Sequence, residues 1–173
     1  MRERFLADVA ALAAAGAEVE APPLPEGFEA GLGPHRVIMA VEAYRNLGPA
    51  VERSPDLVSR RLRDLLEEGS RTPEAEYREA LRERERLIAA LQDWAAPYDA
   101  VLSPPALGEA PPAGTTGDPR LCTRWTLTGA PAITVPTGRG PHGLPLGLQL
   151  SGAPATDARV LAAAAWASEV LTG

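Results

Sequence analysis

The sequence predicts an α/β protein in which a mixed sheet is flanked by helices, and three observations support this fold class. Apolar residues spaced three or four positions apart, as in amphipathic helices, recur through residues 1–96. Short apolar runs bounded by proline and glycine, as in strands, recur through residues 97–173. With 173 residues, 45% of them hydrophobic, the chain is long enough for one domain with a core, or for one part of a larger domain.

Residues 1–96 are predicted to be mostly helical, with one early strand. The first helix carries apolar residues on one face, among them Phe5, Leu6 and Val9, and Gly16 is expected to end it. The alternation of apolar and charged residues over 17–21 predicts a half-buried strand. Three longer helices are expected over residues 35–51, 54–69 and 72–95. The last two begin with a hydroxyl residue, a proline and an acidic residue, which is typical of a helix N-terminus.

Residues 97–173 are predicted to form a strand, a short helix, a hairpin and a final helix. These elements are expected over residues 98–103, 118–127, 132–135 with 144–150, and from 156 onwards. In the second hairpin strand Pro145, Gly147 and Gln149 share one face, so another part of the chain should pack very close to it. The segment from Leu107 to Gly117 contains too much proline and glycine for regular structure.

Composition excludes several classes of function. The net charge is -6, and the Arg/Glu run over 82–86 predicts an ion-paired surface, so nucleic acid is not an expected partner. The one cysteine, Cys122, cannot form an intrachain disulfide, which indicates a cytoplasmic protein. No apolar stretch is long enough to cross a membrane. Two histidines and no Cys/His cluster predict neither a metal site nor another cofactor.

Four motifs carry a family resemblance. They are PYDAVLSP at 97–104, TGDP at 116–119, WTLTGAPAITVP at 125–136 and GLPLGLQL at 143–150. In this order and spacing they resemble the C-terminal end of the amidase signature family, and the helices upstream resemble it more loosely. The resemblance covers essentially the whole chain, as a single partial amidase domain, but only about the last third of a family member.

The resemblance implies hydrolysis of an amide C–N bond, with catalytic residues that this chain does not contain. Family members use a serine nucleophile and a second serine from a Gly/Ser-rich signature, and a lysine further upstream as base. Here there is no lysine and no pair of adjacent serines. Arginine cannot replace the base because it does not release its proton. No residue is therefore assigned as catalytic, and the isolated chain is expected to be inactive.

The resemblance also implies which residues line the substrate cleft. These candidates for substrate binding are Asp118, Arg124, Trp125 and Thr126. Each has a structural alternative: Asp118 could cap the short helix, Trp125 could belong to the core, and Arg124 could form a surface ion pair. A catalytic pair of Cys122 with a histidine is not expected, since a lone cysteine in an apolar helix is usually buried. Glu42, between apolar neighbours, could be a buried structural carboxylate.

Two functions stay open from the sequence. In the first, the chain is the C-terminal segment of an amide hydrolase, either truncated or half of a split enzyme, and contributes sheet and cleft wall. In the second, it is a stand-alone, non-catalytic scaffold or binding protein. Unpaired strand edges and apolar helix faces predict a partner, either further copies of this chain or a complementary chain that carries the Ser/Lys half.

Overall fold

The computed structural model describes the backbone of residues 1–173 and all side chains except those at positions 29 and 30. Along this backbone lie six α-helices, two short 3-10 helices and three strands, which confirms the predicted α/β class. The α-helices are α1 (Arg2–Ala14), α2 (Leu32–Arg53), α3 (Arg60–Arg71), α4 (Glu74–Ala95), α5 (Arg120–Thr128) and α6 (Asp157–Thr172). The strands are β1 (Val101–Ser103), β2 (Ala132–Arg139) and β3 (Pro145–Ser151), and the 3-10 helices are Phe28–Gly31 and Pro55–Leu57.

The sheet has the order β1-β3-β2, and both of its pairings are antiparallel. The predicted hairpin is confirmed, because β2 and β3 are neighbours joined by the turn at residues 140–144. Leu150 lies opposite both Leu102 and Ile133, so apolar residues from all three strands share one face. The register shifts between Pro136 and Gly138, where proline supplies no N–H to the ladder.

The early strand predicted over residues 17–21 does not form. This segment has no regular structure, and Glu20 within it and Pro23 just after it are held by side chains from the end of α4 and just beyond it. The Tyr98 hydroxyl donates to a Glu20 carboxylate oxygen at 2.9 Å, and the Trp94 indole N–H donates to the Pro23 carbonyl at 2.8 Å. Alternation marks a segment that could be a strand, but a strand also needs a backbone partner, and the segment has none among the described strands.

The described side chains form two hydrophobic cores. The first lies among α2, α4 and α5 and is centred on Leu87, Leu91 and Trp125. The second lies between the sheet and the pair α1 and α6, where Leu148 and Leu150 belong to one buried cluster with Leu12 and Val160, among others. The sheet face that packs on these two helices is called the helix-packed face below.

The predicted apolar face of α1 is wrong in part. Asp8 and Leu12 are the buried residues of this helix, whereas Leu6 is 53% exposed. Asp8 accepts a hydrogen bond from Arg4 Nε at 2.7 Å and another from the Thr137 hydroxyl of β2 at 2.7 Å. These polar contacts turn Asp8 towards the sheet and rotate Leu6 into solvent.

The hydroxyl-proline-acid sequence predicts the start of one helix correctly and that of another wrongly. The helix α4 begins at Glu74, where Thr72-Pro73-Glu74 predicts a start, but the Thr72 hydroxyl does not cap it and donates to the Glu68 carbonyl at 2.9 Å instead. The sequence Ser54-Pro55-Asp56, in contrast, opens only a 3-10 turn, and α3 begins at Arg60. Ser59 caps α3, since its hydroxyl accepts the Leu62 N–H at 3.2 Å.

The surface of α4 is ion-paired, as the Arg/Glu run predicts. Arg86 contacts both Glu79 at 2.9 Å and Glu83 at 2.7 Å. Glu42, in contrast to the expectation of burial, is exposed and accepts the Tyr77 hydroxyl at 3.1 Å. Within the described residues, no helix is both long and apolar enough to span a membrane.

Candidate functional site

A cavity of about 630 Å³ lies between the hairpin strands and the irregular segment that joins β1 to α5. The strands contribute Thr134, Pro136 and residues 145–147, and the irregular segment contributes residues 105–111 and 116–118. Most of these residues are proline, alanine, glycine or leucine, so the lining consists mainly of apolar side chains and exposed backbone. A concave, largely apolar site with a few polar groups is the usual form of a small-molecule site.

The floor of the cavity depends on a glycine. A Cβ at Gly147 would lie 2.6 Å from the Thr134 methyl carbon and 2.8 Å from the Val135 carbonyl oxygen. The close packing predicted at this strand is therefore present. Because no side chain fits here, β2 and β3 form a shallow floor rather than a filled surface.

Polar side chains occupy the same sheet face as Gly147, which is called the cavity face below. The Gln149 side-chain N–H donates to the Ser103 hydroxyl at 3.1 Å. The Ser151 hydroxyl is fully buried and has no hydrogen-bond partner among the described residues. Both features follow from strand alternation, which places residues 147, 149 and 151 together.

Asp118 is the only one of the four predicted substrate-binding residues that lines the cavity. One carboxylate oxygen accepts the Arg120 backbone N–H at 2.9 Å, and the other accepts Arg120 Nε at 2.8 Å. The hydrogen bond from the Arg120 side chain, together with that from its backbone, holds the pKa of Asp118 below its ordinary value. Asp118 is thus an ionised carboxylate that is bound to Arg120 at the start of α5.

The other three predicted residues lie elsewhere on α5. Trp125 is buried in the first core, with its ring 5.5 Å from that of Phe28. The Arg124 guanidinium lies 5.9 Å from the Phe28 ring, and its Nε is buried without a partner among the described side chains. Thr126 is exposed and donates its hydroxyl to the Cys122 carbonyl at 3.3 Å. Trp125 therefore has the core position that the sequence left open as its structural alternative.

Cys122 is exposed, contrary to the expectation of burial. The reason is the orientation of α5, which buries Thr123, Trp125 and Leu127 and turns Cys122 away. Its Sγ lies 3.3 Å from the Pro105 carbonyl oxygen. Neither histidine contacts it: His142 is bound to Glu109, while His35 lies in α2, where burial and the neighbouring Arg36 lower its pKa.

Glu109 is a site residue that sequence reasoning missed. It lines the cavity, and its carboxylate accepts backbone N–H groups from His142 at 3.0 Å and Leu144 at 2.9 Å. An isolated acidic residue in a Pro/Gly-rich segment carries no sequence signal for such a contact, because its partners lie more than thirty positions away.

Fold and site together define an α/β protein with a largely apolar cavity beside its sheet. The model of the family described as Amidase matches residues 1–161, and the chain belongs to this family. No curated protein matches the sequence.

Solved structures agree with this assignment. A crystal structure of an amidase is 30% identical with a TM-score of 0.88, covering 98% of this chain and 42% of that one. A chain of a vestigial protein complex, described as revealing the evolutionary origins of an s-triazine catabolic enzyme, is 26% identical with a TM-score of 0.75, covering 99% of this chain and 38% of that one.

A fatty acid amide hydrolase is 19% identical with a TM-score of 0.82, and the match covers 99% of this chain and 37% of that one. At this identity the similarity supports the fold alone. The chain thus spans about two fifths of the length of the structures it matches, somewhat more than the third that the sequence motifs indicate.

Proposed function

We propose that this chain is the C-terminal segment of an amide (C–N) hydrolase, and that it supplies part of the sheet and one wall of the substrate cleft. The observation that carries the proposal is the similarity to a solved amidase, with a TM-score of 0.88 over 98% of this chain but only 42% of that one. A segment that keeps its family's fold over its full length has kept the packing that a cleft wall needs.

The catalytic groups of the proposed reaction lie outside these 173 residues. A serine hydroxyl is a weak nucleophile and needs a neighbouring base. The sequence has no lysine, and its arginines keep their protons at any pH of interest. We therefore assign to this chain the binding and orientation of the amide, and to a complementary chain the serine nucleophile and the lysine base.

The charges around the cavity favour a neutral ligand. Its two carboxylates, Glu109 and Asp118, are already bound to the hairpin turn and to Arg120. Among the described side chains, no arginine or histidine lines the cavity to bind an anion. A neutral amide with an aliphatic chain fits this wall, whereas a ligand carboxylate would face the negative charges of Glu109 and Asp118, with Met1 as the one lining residue among those described that carries a positive charge. Of the four residues predicted to bind substrate, we retain Asp118 for the cleft wall.

Exposed apolar side chains and strand edges support a partner. Leu161 and Trp166 of α6 are exposed, as are Leu6 of α1 and Val19 just beyond it. The strands β1 and β2 form the two edges of the three-stranded sheet, so each has one side without a strand partner within the described chain. Edges and apolar faces of this kind associate with another chain unless they are covered.

One observation favours the alternative of a stand-alone, non-catalytic binding protein. Both cores are complete within the chain, since Leu91 in the first and Leu148 in the second are fully buried. A chain that closes its own cores does not need a second chain to fold. The two functions therefore differ in whether a second polypeptide is bound to this chain, and this difference can be measured.

Native mass spectrometry of the untagged chain, isolated from its own cells, tests the proposal. The expected result is a complex that contains a second polypeptide with a lysine and paired serines. A complex of this chain alone, or a monodisperse species of 18.2 kDa, would overturn the split-enzyme function and leave the binding protein.

Ligand binding tests the cleft wall separately. Hexanamide should shift the amide resonances of Gly108 and Gly147 in NMR titrations of the chain, and hexanoate should shift them far less. Leu107→Asp, at the cavity, should weaken hexanamide binding, while the matched control Leu57→Asp, at a site 86% exposed, should not. Equal shifts by amide and carboxylate would contradict the neutral-ligand assignment.

A further inference from the structure

The irregular segment between β1 and α5, residues 104–119, forms one wall of the cavity without helix or strand of its own. Every residue from 110 to 119 is exposed. A loop with so little burial is normally mobile, because few contacts offset its conformational entropy. Something outside the segment has to hold it if the cavity is to keep its shape.

Glu109 makes the contact that holds it. Its side chain is only 9% exposed, in contrast to the residues that follow it. One carboxylate oxygen accepts the His142 and Leu144 backbone N–H groups at 3.0 and 2.9 Å. The other lies 2.7 Å from His142 Nδ1. Hydrogen bonds to an ionised carboxylate are about twice as strong as neutral ones.

The hairpin turn is shaped to receive this carboxylate. A Cβ at Gly140 would lie 2.4 Å from the Glu109 carboxylate carbon, so only glycine leaves the space. The turn itself is closed by its own hydrogen bonds, from Gly140 N to the Leu144 carbonyl at 2.9 Å and from Gly143 N to the Gly140 carbonyl at 3.0 Å. The receiving surface is therefore formed without Glu109.

We infer that Glu109 is the positioning residue of the cavity: its carboxylate fastens the 104–119 segment to the β2–β3 turn and so sets the shape of the ligand-binding wall. Because all its acceptor positions face the turn, Glu109 acts through the segment and not by contact with the ligand. The consequence for ligand affinity rests on the proposed function, whereas the fastening itself does not.

Two variants release the carboxylate by different routes. Glu109→Gln removes the negative charge and replaces one acceptor oxygen with an N–H₂ group that cannot accept the His142 hydrogen bonds. Gly140→Ala places a methyl group where the carboxylate lies, and the nearest atoms it displaces are the flexible end of the Glu109 side chain, so the fold is retained. Glu85→Gln, at an exposed carboxylate of α4, is the matched control.

Nitrogen-15 relaxation measures the fastening directly. In the parent chain and in Glu85→Gln, the amides of Gly108, Gly114 and Thr116 should have order parameters close to the rigid value of about 0.85. In Glu109→Gln and Gly140→Ala they should fall below about 0.6, while the α4 amides stay unchanged. If the 104–119 segment in these variants is in its fastened conformation about one third of the time, the affinity for hexanamide falls about threefold.

The pH dependence provides a second readout. Burial raises the pKa of Glu109, but the hydrogen bonds from the His142 ring and from the Leu144 and His142 amides outweigh it and place the pKa below its ordinary value. Since the folded-state pKa is lowered, the fastening is complete above the ordinary pKa of glutamate and is lost as the pH falls through the folded pKa. The other charged groups nearby are Arg139, whose side chain donates to the Gly143 carbonyl, Asp118 at the end of the segment, and the N-terminal group of Met1, which lines the same cavity.

The Leu144 amide resonance of the parent should therefore move with a midpoint below the ordinary glutamate value, and in Glu109→Gln this step should vanish. Unchanged order parameters in both variants would overturn the inference, as would a Leu144 titration that survives Glu109→Gln. If hexanamide fails to bind the parent chain at all, the proposed function fails, while the relaxation and pH results still decide whether Glu109 fastens the segment.

Discussion

The two faces of the sheet differ in how they are filled. On the helix-packed face, Leu148 and Leu150 contact side chains of α1 and α6 and are fully or almost fully buried. On the cavity face of the same strand, Gly147 lines the cavity, while Gln149 and Ser151 bring buried polar side chains to this face, and Gln149 is paired with Ser103. The strand β3 thus lies between the second hydrophobic core on one face and the cavity on the other.

This difference separates stability from ligand binding within a few residues. Removing apolar volume from the helix-packed face should destabilise the chain and leave the cavity chemistry unchanged. Changes on the cavity face should alter the shape of the cavity with smaller effects on the free energy of unfolding. The substitutions below test that separation, from the largest expected effect to the smallest.

Leu148→Ala should have the largest effect. Leu148 has no exposed surface, so its replacement leaves a void between the sheet and the two helices. Truncation of a buried leucine lowers the free energy of unfolding by about 3 kcal/mol. Urea denaturation measures the loss, and Thr134→Ala, on the exposed part of the cavity face, is the control, with an expected change below about 0.5 kcal/mol. Similar losses for both variants would remove the distinction between the faces.

Asp8→Ala should come next, because it removes the polar contact that holds α1 on the sheet. The Thr137 hydroxyl would lose its 2.7 Å acceptor inside the core, while Arg4, which is partly exposed, could reach water. A buried group left without a partner costs about 2 kcal/mol. Asp8→Asn should lose less, since the amide oxygen still accepts from Thr137. Equal losses for the two variants would show that the charge, and not the hydrogen bond, fixes α1.

The elements that the sequence predicts well are those with local causes. The start of α4 follows from Thr72-Pro73-Glu74, and the hairpin follows from two apolar runs separated by glycine. The alternation in β3 also predicts that Gly147 accepts close packing, as the short distances to Thr134 confirm. In each case the predictive signal lies in neighbouring residues.

The elements that the sequence predicts poorly depend on distant partners. The orientation of α1 is set by Thr137, which lies 129 positions from Asp8. The segment at 17–21 has a strand pattern but no partner among the described strands, and its Glu20 is bound instead by Tyr98, 78 positions away. Of the predicted site residues only Asp118 lies at the cavity, and Glu109 was missed because its contacts with the hairpin turn leave no local pattern.

Gly147→Ala should have an intermediate effect, although it lies on the cavity face. Its methyl group would meet the Val135 carbonyl oxygen at 2.8 Å, and a backbone atom cannot move away cheaply. Overpacking of this kind costs about 1–2 kcal/mol. Gly138→Ala, whose methyl group would find its nearest neighbour 3.5 Å away on the flexible Arg4 side chain, is the matched control. A tolerated Gly147→Ala would show that the two strands can separate, and that the floor of the cavity is not fixed.

Ser151→Ala should have the smallest effect and the opposite sign. The Ser151 hydroxyl is fully buried without a partner among the described residues, so its removal relieves a desolvation cost and leaves almost no void. We expect thermal denaturation to show a gain of up to about 1 kcal/mol. The matched control is Ser103→Ala, which removes the acceptor of the Gln149 side chain at 3.1 Å and should destabilise the chain by about 1 kcal/mol. The two serines lie on the same face with the same hydroxyl group, so opposite signs would show that hydrogen bonding decides the energetics there. A loss from both would mean that Ser151 has a partner in solution, and the cavity face would then hold a second satisfied polar group beside Gln149.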